Sequence, residues 1–240
     1  MTTKYTRLLL DELTVVCVLA GDADLNHVYI TGTTPPQSID AFELLMDKVA
    51  INTPNDPRFQ RLLKTQKPLI FTPRDVSEGG SRPDWTAKDR RRLYHDFLPY
   101  VAAIDIELSK VDDYKEVIAQ AKQLGVAVIL SHHDFAKTPT FAQMIELAVR
   151  CVIAGGDVLK LAVNLRSKGD VAEFADAVDY ISTNYPIKVT SMGTDGQLGQ
   201  HYRMIDALTC GCIIYGYLTT PLSTGMIKAS RIKQLLRELK

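Results

Sequence analysis

Gly155-Gly156-Asp157-Val158-Leu159-Lys160-Leu161-Ala162-Val163-Asn164-Leu165 is the stretch that decides how the rest of the chain is read. Its two glycines stop the helix that the preceding residues spell, and from Val158 to Leu165 apolar residues fill both alternating sets of positions. Such a run marks a strand buried on both faces, as in a parallel sheet covered by helices. Lys160 interrupts it. Desolvation disfavours an ammonium and lowers its pKa. The neutral amine is a nucleophile that condenses with carbonyls to form Schiff bases. The competing reading is a lysine that snorkels to the strand end and keeps its charge in water.

Outward from this strand, apolar runs alternate with amphipathic segments. On the N-terminal side strands are expected at Thr14 to Leu19, Pro68 to Pro73, Val101 to Leu108 and Val126 to Ser131. Helices are expected near Thr86 to Leu98, Asp112 to Leu124 and Thr140 to Ala154. Toward the C-terminus the pattern gives a helix near Asp170 to Thr183, a strand at Ile187 to Ser191 and a helix near Tyr202 to Thr209. A strand at Cys212 to Leu218 and a last helix from Gly225 to Leu239 follow. Ala41 to Val49 reads equally as strand or helix, and residues 20–38 offer only turn signals, at Gly21-Asp22 and Pro35-Pro36. With Ala41 to Val49 taken as a strand there are eight, joined largely by helices, in 240 residues. The expectation is an α/β fold: a closed (β/α)8 TIM barrel forming a single domain over residues 1–240. A doubly wound open sheet would carry a glycine-rich turn after its first strand, and Gly21-Asp22-Ala23 is not one.

Composition narrows the function classes. Hydrophobic residues make up 46% of the chain, and 28 basic side chains balance 28 acidic ones. No overall charge supports nucleic-acid binding, and the cluster Lys88, Arg90, Arg91, Arg92 reads as the solvated face of a helix. Cys17, Cys151, Cys210 and Cys212 are scattered, without a CxxC pair, as expected of reduced thiols. The N-terminal residues start no secretory segment, and no run of 18 apolar residues exists. The expectation is a soluble cytoplasmic protein with no membrane or nucleic-acid partner.

In a barrel the chemistry gathers at the C-terminal ends of the strands. Those ends carry Thr72-Pro73-Arg74 with Glu78 beyond, Asp105 and Glu107, Ser131-His132-His133-Asp134, Lys160, and Ser191-Met192-Gly193. Adjacent histidines on a strand face opposite ways, and no HxH or HExxH spacing supplies further ligands, so no metal site is expected. Asp105 and Glu107 share a strand face. They are read as structural support, including ion pairing with Lys160, in preference to paired catalytic carboxylates.

These residues, in this order, resemble the type I 3-dehydroquinate dehydratases, Schiff-base-forming lyases of the shikimate pathway. The likeness rests on Phe71-Thr72-Pro73-Arg74 with Glu78-Gly79-Gly80, Ile104-Asp105-Ile106-Glu107-Leu108, Ser131-His132-His133-Asp134-Phe135 with Thr138-Pro139, Lys160-Leu161-Ala162-Val163, and Ser191-Met192-Gly193. It implies Lys160 as the imine-forming nucleophile, His133 as general acid and base, and Glu78 as the group that orients or polarises that histidine. It implies no cofactor, a small-molecule substrate and, since barrels of this family often dimerise, a homodimer. The substrate-binding set carried over is Arg74, Glu43, Arg203, Gln200 and Met226.

The clamp departs from the family pattern. Glu-Leu-Arg becomes Glu43-Leu44-Leu45, which loses a fixed cation. At the Ser-Arg pair that binds the substrate carboxylate, ungapped spacing puts Gly199-Gln200, while about four extra residues would bring in Arg203. Ala-Pro-Gly-Gln becomes Ser223-Thr224-Gly225-Met226, losing the glutamine. Residues around Gly225 read as a closing lid or as a plain surface loop. The implied activity is dehydration of 3-dehydroquinate or a close cyclic hydroxy-ketone. An imine-forming aldolase and a non-catalytic metabolite-binding barrel are the alternatives.

Overall fold

The computed structural model describes residues 8, 10–30 and 38–239, with only the backbone of 29 and 30. Pro35-Pro36 and the N-terminal residues 1–7 lie outside that set. Nine strands and eight helices are described: β1 Thr14–Leu19, α1 Asp22–Ile30, β2 Ala41–Leu45, α2 Pro57–Lys64, β3 Leu69–Thr72, α3 Ala87–Phe97, β4 Ala103–Glu107, α4 Lys115–Leu124, β5 Ala127–Asp134, α5 Phe141–Ile153, β6 Val158–Val163, α6 Lys168–Asn184, β7 Lys188–Gly193, α7 Gly196–Thr209, β8 Ile213–Tyr217, β9 Ile227–Lys228 and α8 Ala229–Glu238. Three helix starts are written in the sequence as capping boxes, Thr86 with Asp89, Thr140 with Gln143 and Ser167 with Asp170. Each satisfies two orphan backbone donors.

The strands form one curled sheet in the order β7-β6-β5-β4-β3-β2-β1-β8-β9, every pair parallel. Its two ends approach each other. The Cys212 amide donates to the Val189 carbonyl at 3.0 Å, and Thr190 Oγ1 donates to the Ile213 carbonyl at 2.6 Å. Above that contact β9 runs beside β8, and the Gly225 amide reaches the Thr194 carbonyl at 3.2 Å. The last segment is therefore not helical from Gly225, as the sequence reading had it: Ile227-Lys228 is extended and α8 begins at Ala229. Ala41–Val49 divides into a strand, Ala41–Leu45, and a 3-10 turn, Met46–Lys48. Helix α1 falls where only a turn signal is legible, and its polar first half, with Asp22, Asp24 and Asn26, explains why periodicity missed it.

Alternation along each strand sorts side chains between two environments. Leu159, Leu161 and Val163 join a large core between sheet and helices, together with the stacked Phe71 and Phe97. Val158 and Ala162 face the inside of the curl with Val16, Val18, Ile129 and Met192. Arg90 is buried, ion-paired with Asp75 and donating to Tyr114 Oη at 2.8 Å. That corrects its assignment to a solvated basic face: it ties α3 to the loop after β3. The cysteines are free thiols, three buried and Cys210 half-buried. Among the described residues no helix is long and apolar enough to cross a membrane.

Candidate active site

Inside the curl the apolar layer gives way to a charged one. Lys160 is 4% exposed, and its Nζ lies 2.8 Å from Asp105 Oδ2 and 3.0 Å from Glu43 Oε1. The Tyr215 ring lies beneath the same nitrogen, 4.1 Å from centroid to Nζ. The amine therefore has two carboxylate partners, which corrects the expectation of a lysine set among apolar groups. Neither does it snorkel. Arg74 is placed alongside by the end of β3, bonded to Asp105 at 2.9 Å, Glu107 at 3.1 Å and Ser131 Oγ at 2.6 Å. Burial alone would lower the pKa of Arg74, but Asp105, Glu107 and Glu43 outweigh it and hold the guanidinium well above its ordinary range. Burial would raise Asp105, yet Arg74 and Lys160 pull its carboxyl below the usual range. Removing one member of so compensated a set leaves its partners unpaired, at a cost of roughly 3–5 kcal/mol.

Beside this layer sits a second pair. Asp75 caps a short turn, Val76–Glu78, and Gly79 ends it at φ 91° in the left-handed region. Gly80 passes so close to its own loop that an added Cβ would lie 2.2 Å from the Arg74 carbonyl oxygen. Only glycine permits that return, and it swings Glu78 across to β5. There Glu78 Oε2 accepts from the His133 amide at 3.1 Å and meets Nδ1 at 2.8 Å, while Ser109 Oγ donates to Oε1 at 3.0 Å. An ionised carboxylate accepts only from a protonated Nδ1, which leaves Nε2 as the basic nitrogen. Burial raises Glu78 to about 7, and burial followed by the Arg74 and Lys160 charges pushes His133 well below its usual range. On acidification Glu78 is therefore the first of the two to take a proton.

Both sets open on one cavity of about 200 Å³. Its opposite wall is built from Val18, Leu45, Met192, Leu222 and Met226, with Arg203 as a buried cation. An added Cβ on Gly193 would lie 2.3 Å from Gly199 Cα, so β7 and α7 cross in near contact. Arg203, four residues after Gly199, shares that helix face and donates from Nε to the Gly193 carbonyl at 3.0 Å. Gln200 does not share it. It is exposed and lines a separate groove between α7 and α8, so the ungapped placement of Gln200 against the substrate is corrected. Met226 borders both spaces.

A family model described as type I 3-dehydroquinase matches residues 17–240. The chain belongs to the type I 3-dehydroquinase family. A 3-dehydroquinate dehydratase of Methanosarcina barkeri is 32% identical over 73% of this chain and 74% of its own length. The 3-dehydroquinate dehydratase of Methanosarcina mazei is 30% identical over 84% of this chain and 86% of its own. A solved type I 3-dehydroquinate dehydratase from Clostridium difficile, holding covalent modified comenic acid, shares the fold with a TM-score of 0.82. It is 22% identical, and the match covers 98% of each chain.

Within this type I 3-dehydroquinase, Lys160, His133, Glu78, Arg74, Glu43, Arg203 and Met226 all line the one cavity. His132 points the other way on β5, half-buried outside the curl. Glu107, read as a partner for Lys160, bonds Arg74 and the Asp75 amide instead. Sequence reasoning missed four cavity residues with polar side chains: Lys48, Thr194, Tyr215 and Ser223. Strand parity was the available signal for Tyr215, which follows Ile213 by two on β8 and so faces inward with it. Lys48 and Thr194 sit just beyond strand ends, where parity no longer holds.

Proposed function

We propose that this chain is a Schiff-base-forming hydro-lyase that dehydrates 3-dehydroquinate to 3-dehydroshikimate, with Lys160 as nucleophile and His133 as general acid and base. The observation that carries it is the convergence of the buried Lys160 amine and the Glu78–His133 pair on one small cavity, in a family whose relatives bear that activity as their name. Before attack the ammonium sheds a proton, and Asp105 and Glu43 are the acceptors in reach. The amine adds to the ketone and water leaves, giving an imine. As an electron sink the imine acidifies the neighbouring C–H. His133 Nε2 takes that proton, and the resulting imidazolium returns it to the β-hydroxyl as the C–O bond breaks. Hydrolysis of the imine frees Lys160. No cofactor is required, because the lysine supplies the electron sink. Glu78 holds the histidine tautomer, Glu43 holds the lysine, Arg74 holds the carboxylates beside it and a ring oxygen, Arg203 receives the substrate carboxylate, and Met226 packs on the ring.

In the same reading the sheet closes through the β7–β8 contact into a (β/α)8 barrel, and residues 1–240 form one domain. The protein works in the cytoplasm as a homodimer, with Ile205, Leu208 and Leu239 exposed along α7 and after α8 as the apolar surface a second copy would cover. The apolar wall around Leu45, Met192 and Met226 favours a second substrate reading, a less polar cyclic ketone handled by the same lysine.

The test is to incubate the protein with 3-dehydroquinate and sodium borohydride and map the added mass by peptide mass spectrometry. A reduced adduct on Lys160, absent from Lys160→Ala, is expected. No adduct at millimolar ligand in a folded sample removes 3-dehydroquinate as substrate, and the same trapping with other ketones then decides the second reading.

A further inference from the structure

Among the described residues, three buried side-chain oxygens lack a hydrogen-bond partner: Asp47 Oδ1, Glu107 Oε2 and Tyr215 Oη. The first two are carboxylate atoms whose sister oxygens are bonded, Asp47 to Ser81 and Glu107 to Arg74 and Asp75, and neither residue lines the cavity. Tyr215 differs on every count. Its hydroxyl is the residue's one polar side-chain atom, it is a donor, and the residue lines the cavity while only 3% exposed. An orphaned buried donor is costly and rarely left so unless a ligand or water completes it. Burial, reinforced by Glu43 and Asp105, pushes the phenol well above its ordinary range, so it keeps its proton and its capacity to donate. The ring meanwhile lies 4.1 Å from the Lys160 nitrogen, a cation–π distance.

We propose that Tyr215 is a substrate-contacting residue that selects hydroxylated ketones: its hydroxyl donates to an oxygen of the bound ring beside the reacting carbonyl, while its ring face supports the positive charge at the Lys160 nitrogen before and after imine formation. A donor with no protein partner discriminates against a ligand without an acceptor, because the group then stays unpaired in the complex. Tyr215 thus supplies polar recognition on the side of the cavity where Leu45 and Met226 supply none. The inference rests on the imine reading for its second half and on geometry alone for its first.

The experiment compares wild type with Tyr215→Phe, which keeps the ring and its packing and removes only the oxygen, after thermal unfolding has shown both to be folded. Binding of 3-dehydroquinate is measured by calorimetry without borohydride, and trapping on Lys160 is measured with 3-dehydroquinate and with cyclohexanone, which bears no hydroxyl. The expected result is about tenfold weaker binding of 3-dehydroquinate by Tyr215→Phe and unchanged trapping of cyclohexanone. Tyr215→Leu, which loses the ring as well, is expected to trap both ketones more slowly. Equal affinity in wild type and Tyr215→Phe overturns the proposal, as does an equal penalty on both ketones, which marks a packing defect. If wild type gives no adduct, the imine reading fails, and calorimetry still decides the hydroxyl contact. No binding of 3-dehydroquinate to either protein overturns both.

Discussion

Two buried arginines face the same cavity from opposite walls, and their surroundings are opposite in kind. Arg74 lies among Asp105, Glu107 and the Ser131 hydroxyl, and the carboxylates hold its charge more firmly than water would. Arg203 is equally buried, but burial wins over Asp206 and Asp195 and lowers it to about 10. The neighbouring carboxyl shows the mirror image: burial raises Asp206 to about 7 despite its bonds to Ser191. On the β3–β6 side the charges compensate each other before any ligand arrives. On the β7–α7 side compensation is incomplete, and an arriving anion would complete it. In the proposed reaction a compensated cation serves chiefly as scaffold, and an undercompensated one beside a cavity as receptor.

Four substitutions would break or sharpen that contrast. The largest effect belongs to the reacting wall: His133→Ala is expected to lower kcat by about 10²- to 10⁴-fold while borohydride still labels Lys160. Loss of the label would mean that His133 is needed for imine formation as well as for proton transfer. Activity governed by the Glu78–His133 pair should rise with pH through an apparent value near 7 and level above it, because the pair must be unprotonated to act as a base. Next comes Arg74→Met, which strands Asp105 and Glu107. Urea unfolding should show a loss of roughly 3–5 kcal/mol. Arg203→Met is its counterpart, expected to leave unfolding nearly unchanged and to raise KM for a carboxylate-bearing substrate about 30-fold, roughly 2 kcal/mol. Equal stability losses in the two arginine variants would erase the distinction between scaffold and receptor.

The smallest effect is Asp206→Asn. The folded pKa of Asp206 lies above its unfolded value, so between 3.8 and about 7 the native state keeps a proton that the unfolded chain has lost. Stability therefore declines as pH rises through that window. The asparagine variant should flatten that decline and gain on the order of 2 kcal/mol at pH 8, shrinking toward nothing near pH 4, as read from unfolding at several pH values. A wild-type curve that stays flat across the window would show that Asp206 is ionised in the fold.

Much of the site was legible because it is carried by strand parity and local turns. Lys160, two residues from Val158 and from Ala162, had to face inward with them, and His133 had to share the face of Ser131. Glu78-Gly79-Gly80 announced a turn that only glycine can close. The partners of Lys160 were less legible. Asp105 was named as a candidate, but Glu43 reaches the same nitrogen from 117 residues away, and Glu107 went to Arg74. Nothing local distinguishes those outcomes, because they depend on how far each strand is displaced along its neighbour.

By itself, then, the sequence determined the alternation of strands and helices from β3 to β8, the capping residues that start α3, α5 and α6, and the inward parity that gathers lysine, histidine and carboxylates at one end of the sheet. Those properties follow from side-chain periodicity and backbone chemistry within a few residues. Tertiary structure alone decided the rotation of α7 that turns Arg203 inward and Gln200 out, the ninth strand beside β8, and the placement of the Tyr215 ring beneath the Lys160 nitrogen. Each of these depends on a close approach between distant elements, above all Gly193 against Gly199, and such an approach is set by packing.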